Sequence, residues 1–250
     1  MHVETKRHRL LVDLGPDETL LKNALAAGID LSLVDMVVIS HGHYDHGGAL
    51  KAFLAVNQTA RVYIRQSAFD HFYAKGPNGE KSIGLDETLR DHPQIILTGD
   101  RFLIDDELQL FSGVTGRKFE SRMNQVLYME SAGEHVPDTF AHEQNLIVTD
   151  GDRHFLFGGC AHNGIVNILE KAEQIIKGPI DAAIAGFHLH NPTAGIDETP
   201  DLIAGIASEL ARRQTRFLTG HCTGLVPFAQ LKDRLGDQVS AITAGLTVEL

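Results

Sequence analysis

The chain has very little cysteine, and it contains no long apolar run. Two cysteines among 250 residues are too few for the disulfide framework of a small secreted protein. No apolar stretch approaches the roughly 18 residues that a membrane-spanning helix needs. The first residues, MHVETKRHRL, lack the apolar segment of a secretory signal. We therefore expect a cytoplasmic protein with no membrane partner.

Basic residues are also scarce, because 22 Lys and Arg stand against 33 Asp and Glu, for a formal net charge of −11. A field of that sign repels nucleic acid and anionic membranes, so neither is an expected partner. The sequence shows no fixed-period repeat and no linker, and we expect one domain over residues 1–250. Histidine, in contrast, is abundant, with 14 residues, and the positions of these histidines are informative.

Apolar patterning and turn residues predict an α/β (α+β) protein in which antiparallel hairpins mix with strand–helix units. The predicted strands are 3–5, 9–13, 36–39, 62–65, 95–98, 101–104, 108–111, 144–149, 153–157, 180–185, 216–218 and one or two within 239–248. The predicted helices are 18–27, 48–56, 165–176, 200–213 and 227–235, with a helical turn at 30–35. The polar, glycine-rich stretch 73–91 is expected to be a surface connection.

The stretch ISHGHYDHGGAL places His41, His43, Asp45 and His46 directly after a predicted strand. Three later segments repeat this layout, in which an apolar strand ends, glycine follows and a histidine comes next. They are GGCAH, GFH and TGH, ending at His162, His188 and His221. Loops at one rim of a sheet converge, and imidazole with carboxylate suits zinc and similar divalent ions.

His41 and His43 are two residues apart and can face one ion from an extended segment. Asp45 and His46 lie beyond a turn and can face a second ion. Two ions about 3.5 to 4 Å apart would hold a bridging hydroxide, as in two-metal hydrolytic sites. One local cluster cannot complete both sets of ligands, so His162 and His221 are the expected distant ligands.

The HxHxDH motif at residues 41–46 resembles that of the metallo-β-lactamase superfamily. The segments VPDTFAHEQNLIV, FGGCAHNGIVNILEKA, AGFHL and TGHCTG are similar to the branch that contains dihydropterin-ribofuranosylaminobenzene-phosphate synthases and related metal-dependent hydrolases. The resemblance implies an αββα sandwich with two divalent metal ions on one rim, of which zinc is favoured and manganese or iron are alternatives. It implies that His41, His43 and His162 hold one ion, that Asp45, His46 and His221 hold the other, and that His188 contacts substrate.

The chain departs from the superfamily pattern in three places. Asp13-Leu14-Gly15 replaces the usual Asp-Thr-Gly. Cys160 stands where many members have a bridging aspartate, and this cysteine is either a metal ligand or a small buried residue. The chain begins near the second half of the superfamily's first hairpin, so we expect an incomplete amino edge that a homodimer would cover. His142 competes with His162 as the third ligand, and Glu143 is a candidate to orient a ligand histidine.

These features predict a dinuclear metal-dependent hydrolase that acts on a small anionic substrate, in which Asp45 orients the hydroxide and His188 assists. A synthase that joins a pterin diphosphate to a ribofuranosylaminobenzene phosphate is the first alternative. A non-catalytic metal-binding relic is the second. The cations in the 75–81 stretch, and more weakly Arg117 and Lys118, are candidates to meet an anionic substrate.

Overall fold

The structure is a computed structural model that describes residues 1–77 and 79–250. Strands β1 to β18 are, in order, His2–Glu4, Arg9–Val12, Met36–Ile39, Arg61–Arg65, Phe72–Gly76, Gly79–Ser82, Ile95–Thr98, Arg101–Leu103, Leu108–Phe111, Leu127–Ser131, Glu134–Pro137, Asn145–Asp150, Arg153–Phe157, Ala182–Ile184, His190–Asn191, Ile196–Asp197, Arg216–Thr219 and Val239–Ala241. Helices α1 to α6 are Thr19–Ala26, Tyr44–Gly47, Leu50–Val56, Ile165–Ile176, Pro200–Leu210 and Leu225–Leu235.

Two large sheets form the centre of the molecule. One has five strands in the order β1-β2-β3-β4-β7, and the other has seven in the order β18-β17-β14-β13-β12-β9-β8. Strands β2, β3, β4 and β7 are parallel, as are β13, β14, β17 and β18. Parallel strands bring their carboxyl ends to the same edge of a sheet, so the loops after β3, β13, β14 and β17 can meet there.

Alternation of side chains along the strands builds the layers, because successive residues of a strand point to opposite faces. Leu10 and Val38 of the five-stranded sheet pack with Leu146 of the seven-stranded sheet in one core between the sheets. Their neighbours Leu11 and Val37 belong to a second core on the outer face. Both faces of these strands are buried, which explains their continuous apolar runs.

Helices cover the two outer faces. The outer core of the five-stranded sheet includes residues of α1 and α3, and that of the seven-stranded sheet includes residues of α4, α5 and α6. The order helix, sheet, sheet, helix confirms the predicted αββα sandwich. In the described part of the chain no helix has the length and apolarity to cross a bilayer.

The sequence prediction was wrong for 73–91, which is not a plain connection. β5 and β6 form an antiparallel hairpin there, and β10 pairs with β5 and β11 in a four-stranded sheet. Residue 78 of that stretch lies outside the described residues. All four residues of β6 are exposed, so this strand carries no alternating apolar signal. The expected strand at 239–248 is limited to β18, and β15 and β16 were not predicted.

Gln144, just before β12, joins the two large sheets. Its Nε2 donates to the backbone oxygens of Ile39 and Tyr63 at 2.7 and 3.1 Å. Its Oε1 accepts from the Thr98 hydroxyl at 2.6 Å. Because Gln144 is 1% exposed, these bonds are shielded from water, and they fix the start of β12 against three strands of the other sheet.

Candidate metal centre

The structure brings His41, His43 and His162 together at the rim. One ligand atom of each lies within 4.8 Å of the others, and the three side chains are buried. The Nε2 atom of each ring is buried without a hydrogen-bond partner among the described residues. Buried polar atoms in native proteins are normally paired. Three unpaired imidazole nitrogens that face one another therefore fit a divalent ion.

In His41 and His162 the other ring nitrogen, Nδ1, lies within hydrogen-bond distance of a neighbouring side chain. The Ser40 hydroxyl lies 2.8 Å from Nδ1 of His41, and the side-chain oxygen of Asn124 lies 3.0 Å from Nδ1 of His162. A partner on Nδ1 fixes the orientation of an imidazole and leaves Nε2 free to bind. Asn124, itself buried, was not found from the sequence.

The protonation states also suit a metal site. Burial, followed by neighbouring imidazoles, lowers the pKa of His41 and His162 well below the usual value. Burial lowers the pKa of His43 to about 4, against an opposing effect of Asp138. All three rings are therefore neutral near pH 7, which is the form that ligates a metal.

Asp45, His46 and His221 form a second group beside the first. The Asp45 Oδ2 atom lies 3.3 Å from Nε2 of His221 and 3.5 Å from Nε2 of His46. Burial alone would raise the pKa of Asp45, but hydrogen bonds to these two histidines lower it well below its usual range, so the side chain is a carboxylate. The six side chains predicted as ligands thus lie in two neighbouring groups.

Asp13 is the anchor of the motif loop, and its role was missed in the sequence. Its carboxylate accepts from the backbone N–H and the hydroxyl of Ser40 at 2.7 and 2.8 Å, and it lies 2.6 Å from Nδ1 of His46. Burial lowers the pKa of His46, but the charges and hydrogen bonds of Asp13 and Asp45 together outweigh it and raise that pKa to about 10. The retained Asp of the Asp13-Leu14-Gly15 segment was the available signal.

A comparison with protein families decides what this arrangement belongs to. A family model described as the metallo-beta-lactamase superfamily matches residues 2–188. The chain belongs to the metallo-beta-lactamase superfamily. This confirms the resemblance inferred from the HxHxDH motif.

Two proteins and one solved structure are similar to this chain over more than nine-tenths of its length. An uncharacterized protein of Methanocaldococcus jannaschii is 26% identical over 234 residues, 92% of this chain and 84% of that protein. The 7,8-dihydropterin-6-methyl-4-(beta-D-ribofuranosyl)-aminobenzene-5'-phosphate synthase of the same organism is 25% identical over 257 residues, 97% of this chain and 85% of the synthase. The crystal structure of Tm1679, a metal-dependent hydrolase of the beta-lactamase superfamily, has a TM-score of 0.77 and 27% identity, covering 99% of this chain and 93% of that one.

His142, the alternative third ligand in this superfamily member, has both ring nitrogens engaged. The Gly42 N–H donates to Nδ1 at 2.9 Å, so the ring hydrogen is on Nε2, which lies 3.0 Å from the Asp138 carboxylate. Asp138 also lies 3.8 Å from Nε2 of His43. His142 therefore fixes Gly42, the residue between two predicted ligands, by a hydrogen bond. Nε2 of His162, in contrast, has no partner among the described residues.

Glu143 was predicted to orient a ligand histidine, and its carboxylate contacts the backbone of His162, one of the predicted ligands. Its carboxylate accepts from the N–H of His162 at 2.6 Å and from the N–H and side-chain amide of Asn163 at 3.1 and 2.8 Å. Burial raises the pKa of Glu143, with these donors opposing the rise. The loop after β13 is therefore fixed at the residue that faces His41 and His43.

His188 and Cys160 complete the centre. Both ring nitrogens of His188 are buried and unpaired within the described residues, and the ring lies 4.2 Å from that of His162. The Cys160 sulfur, where many superfamily members have an aspartate, lies 3.2 Å from Nε2 of His46. It belongs to a group of candidate metal-binding atoms with His41 and His46. His188 is free for a substrate or an ion, and Cys160 lies where both groups of histidines meet.

Proposed function

We propose that this protein is a hydrolase with two divalent metal ions, zinc by preference, that acts on a small phosphate-containing anion. The observation that carries the proposal is the set of three buried Nε2 atoms of His41, His43 and His162, which have no hydrogen-bond partner among the described residues. The 27% identical Tm1679 structure, described as a metal-dependent hydrolase, supports the same reaction class. Imidazole and carboxylate donors accept zinc, and also manganese or iron.

The geometry supports two ligand sets. His41, His43 and His162 would hold one ion, and Asp45, His46 and His221 the other. Divalent ions in these positions would supply electrophilic polarisation of the substrate and activation of water near neutral pH. The Asp45 side chain is ionised, and it would accept a hydrogen bond from a water at the site and orient it. Its Oδ2 atom lies 3.5 and 3.3 Å from Nε2 of His46 and His221, the atoms that would hold the ion with it.

His188 is proposed to contact the substrate. Its ring lies against that of His162, and neither of its nitrogens is used by another described side chain. An imidazole ring carries at least one N–H donor. His188 would donate this N–H to a phosphate oxygen of the substrate, which stabilises negative charge as it develops there.

A cavity of about 220 Å³ adjoins the centre, and His162, Phe140 and Asp138 are among its lining residues. Pockets for drug-sized ligands occupy about 300 to 1,000 Å³, so this one suits a small substrate. The synthase reaction is the second candidate, since the Methanocaldococcus jannaschii synthase is 25% identical. That reaction would have to bring two large reactants together at this rim.

The test combines metal content with turnover. Protein purified without added metal is analysed for elements, and bis(p-nitrophenyl) phosphate is offered as a substrate. We expect close to two ions per chain and hydrolysis in the parent, with a lower metal content and no hydrolysis in His43→Ala and His162→Ala. His154→Ala is the matched control, because that histidine lies in β13 at the end remote from the rim. Two ions with hydrolysis that survives both ligand variants would overturn the proposal.

A further inference from the structure

Arg117 is a cation at the cavity beside the candidate metal centre. It lines the same cavity as His162, Asn163 and Phe140. The neighbouring cations are engaged elsewhere, because Lys118 pairs with Glu170 at 2.6 Å and Arg122 with Glu198 at 3.2 Å. Across residues 1–77 and 79–250 no carboxylate forms an ion pair with Arg117. Arg117 therefore brings an unpaired positive charge to this cavity in a chain of net charge −11.

The backbone on either side of Arg117 is fixed by one buried side chain. Asn167 of α4 is 3% exposed. Its amide oxygen accepts from the Lys118 N–H at 3.1 Å, and its amide nitrogen donates to the Lys118 oxygen at 3.0 Å. A Cβ on Gly116 would lie 2.5 Å from the same amide oxygen, so the loop can approach Asn167 this closely only with glycine there. Arg117 therefore projects from a rigid loop.

The guanidinium group is also held in place, and only one of its nitrogens is used. Nη1 donates to the backbone oxygens of Gly116 at 2.8 Å and Val114 at 3.2 Å, and lies 3.5 Å from the side-chain oxygen of Asn163. Among the described residues, Nε and Nη2 have no acceptor. These two nitrogens form the edge of arginine that binds an oxyanion in two parallel hydrogen bonds. The side chain is ordered in advance, with its anion-binding edge free.

We propose that Arg117 binds the phosphate group of the substrate in this cavity. The ligand class is a small phosphate ester whose organic part packs on Phe140 and Pro137, two apolar side chains that line the cavity. Glu120 lines it too, and its carboxylate opposes anion binding, so the affinity depends on the guanidinium group. This role rests on the proposed function, in which Arg117 is the residue that favours an anionic substrate.

The test measures binding of phenylphosphonate, which is not hydrolysed, by calorimetry on the zinc-loaded protein. We expect Arg117→Gln to raise the dissociation constant by about tenfold or more, as for the loss of a charged hydrogen-bonded pair. Lys118→Gln, the neighbouring cation, should change it by less than about twofold. Glu120→Gln should lower it. Melting temperatures within about 2 °C of the parent's would show that the fold is kept.

Two results would overturn this assignment. One is an unchanged dissociation constant in Arg117→Gln. The other is an equal loss of affinity in Arg117→Gln and Lys118→Gln, which would indicate that positive charge near the cavity attracts the anion without a specific contact. Benzoate bound as tightly as phenylphosphonate would overturn the choice of phosphate. The two proposals fail separately. A parent that binds phenylphosphonate through Arg117 but hydrolyses no phosphodiester contradicts only the hydrolase, whereas hydrolysis with an unchanged KM in Arg117→Gln contradicts only the role of Arg117.

Discussion

We expect His142→Ala to lower stability more than His162→Ala does, and His162→Ala to lower metal affinity more than His142→Ala does. His142 makes two hydrogen bonds, to the Gly42 N–H and to Asp138, and the Asp138 side chain is 0% exposed. Removing the ring leaves a buried donor and a buried carboxylate without that partner. An unpaired buried donor costs about 1 to 3 kcal/mol and a charged group more, so we expect a loss of roughly 3 to 5 kcal/mol in metal-free protein.

His162→Ala should destabilise the metal-free protein less. Its ring makes one side-chain hydrogen bond, with Asn124, and stacks on Phe140 with the ring centroids 4.6 Å apart. A loss of about 1 to 3 kcal/mol is expected. For metal affinity the order reverses. Losing a group that only positions a ligand weakens binding by about 10- to 100-fold, as expected for His142→Ala, whereas His162→Ala removes a ligand and should weaken binding further.

Urea unfolding after EDTA treatment measures the first quantity, and zinc titration against a chelating dye measures the second. His154→Ala, whose Nδ1 is paired with the Thr149 hydroxyl, controls for the loss of an imidazole away from the rim. If His142→Ala lost zinc more completely than His162→Ala while staying nearly as stable as the parent, His142 would be the third ligand. The assignment of His162 would then be wrong.

Three further predictions concern the anchor, the motif glycine and the substrate contact. In metal-free protein the pKa of His46 is raised to about 10 from 6.5, so its bond to Asp13 stabilises the fold fully below pH 6.5 and is lost as the pH rises towards 10. Asp13→Asn should flatten this fall in urea-unfolding free energy, and an unchanged pH profile would refute the pairing. Gly42→Ala should cost about 1 to 3 kcal/mol, since its Cβ would lie 2.5 Å from a backbone oxygen, whereas Gly178→Ala, with nothing within 4 Å, should be tolerated; equal melting temperatures would contradict this. His188→Ala should keep two ions per chain but lower kcat/KM by at least about tenfold, and loss of an ion would make His188 a ligand instead.

The sequence predicted the groups that converge at the rim, and Glu143 among those that support them, but it did not predict Asn124 or Asp138. The strand–glycine–histidine layout predicts that His41, His162 and His221 converge, because the carboxyl ends of parallel strands share an edge. Asn124 and Asp138 carry no such signal. Each comes from a loop whose position depends on the four-stranded sheet, in which the exposed strand β6 lacks apolar alternation. The contacts of Asn124 with His162 and of Asp138 with His142 therefore follow from the folded sheet and not from a local sequence pattern.

The proposed ligands come from loops of both large sheets. His41 and His43 follow β3 of the five-stranded sheet, while His162 and His221 follow β13 and β17 of the seven-stranded sheet. An ion held by His43 and His162 would be a cross-link between the sheets, closing a long loop of chain that is open without it. Gln144 already joins the same sheets by hydrogen bonds. Metal binding would then add directly to the free energy of folding, and a chelator would loosen the sandwich along the seam between its two halves.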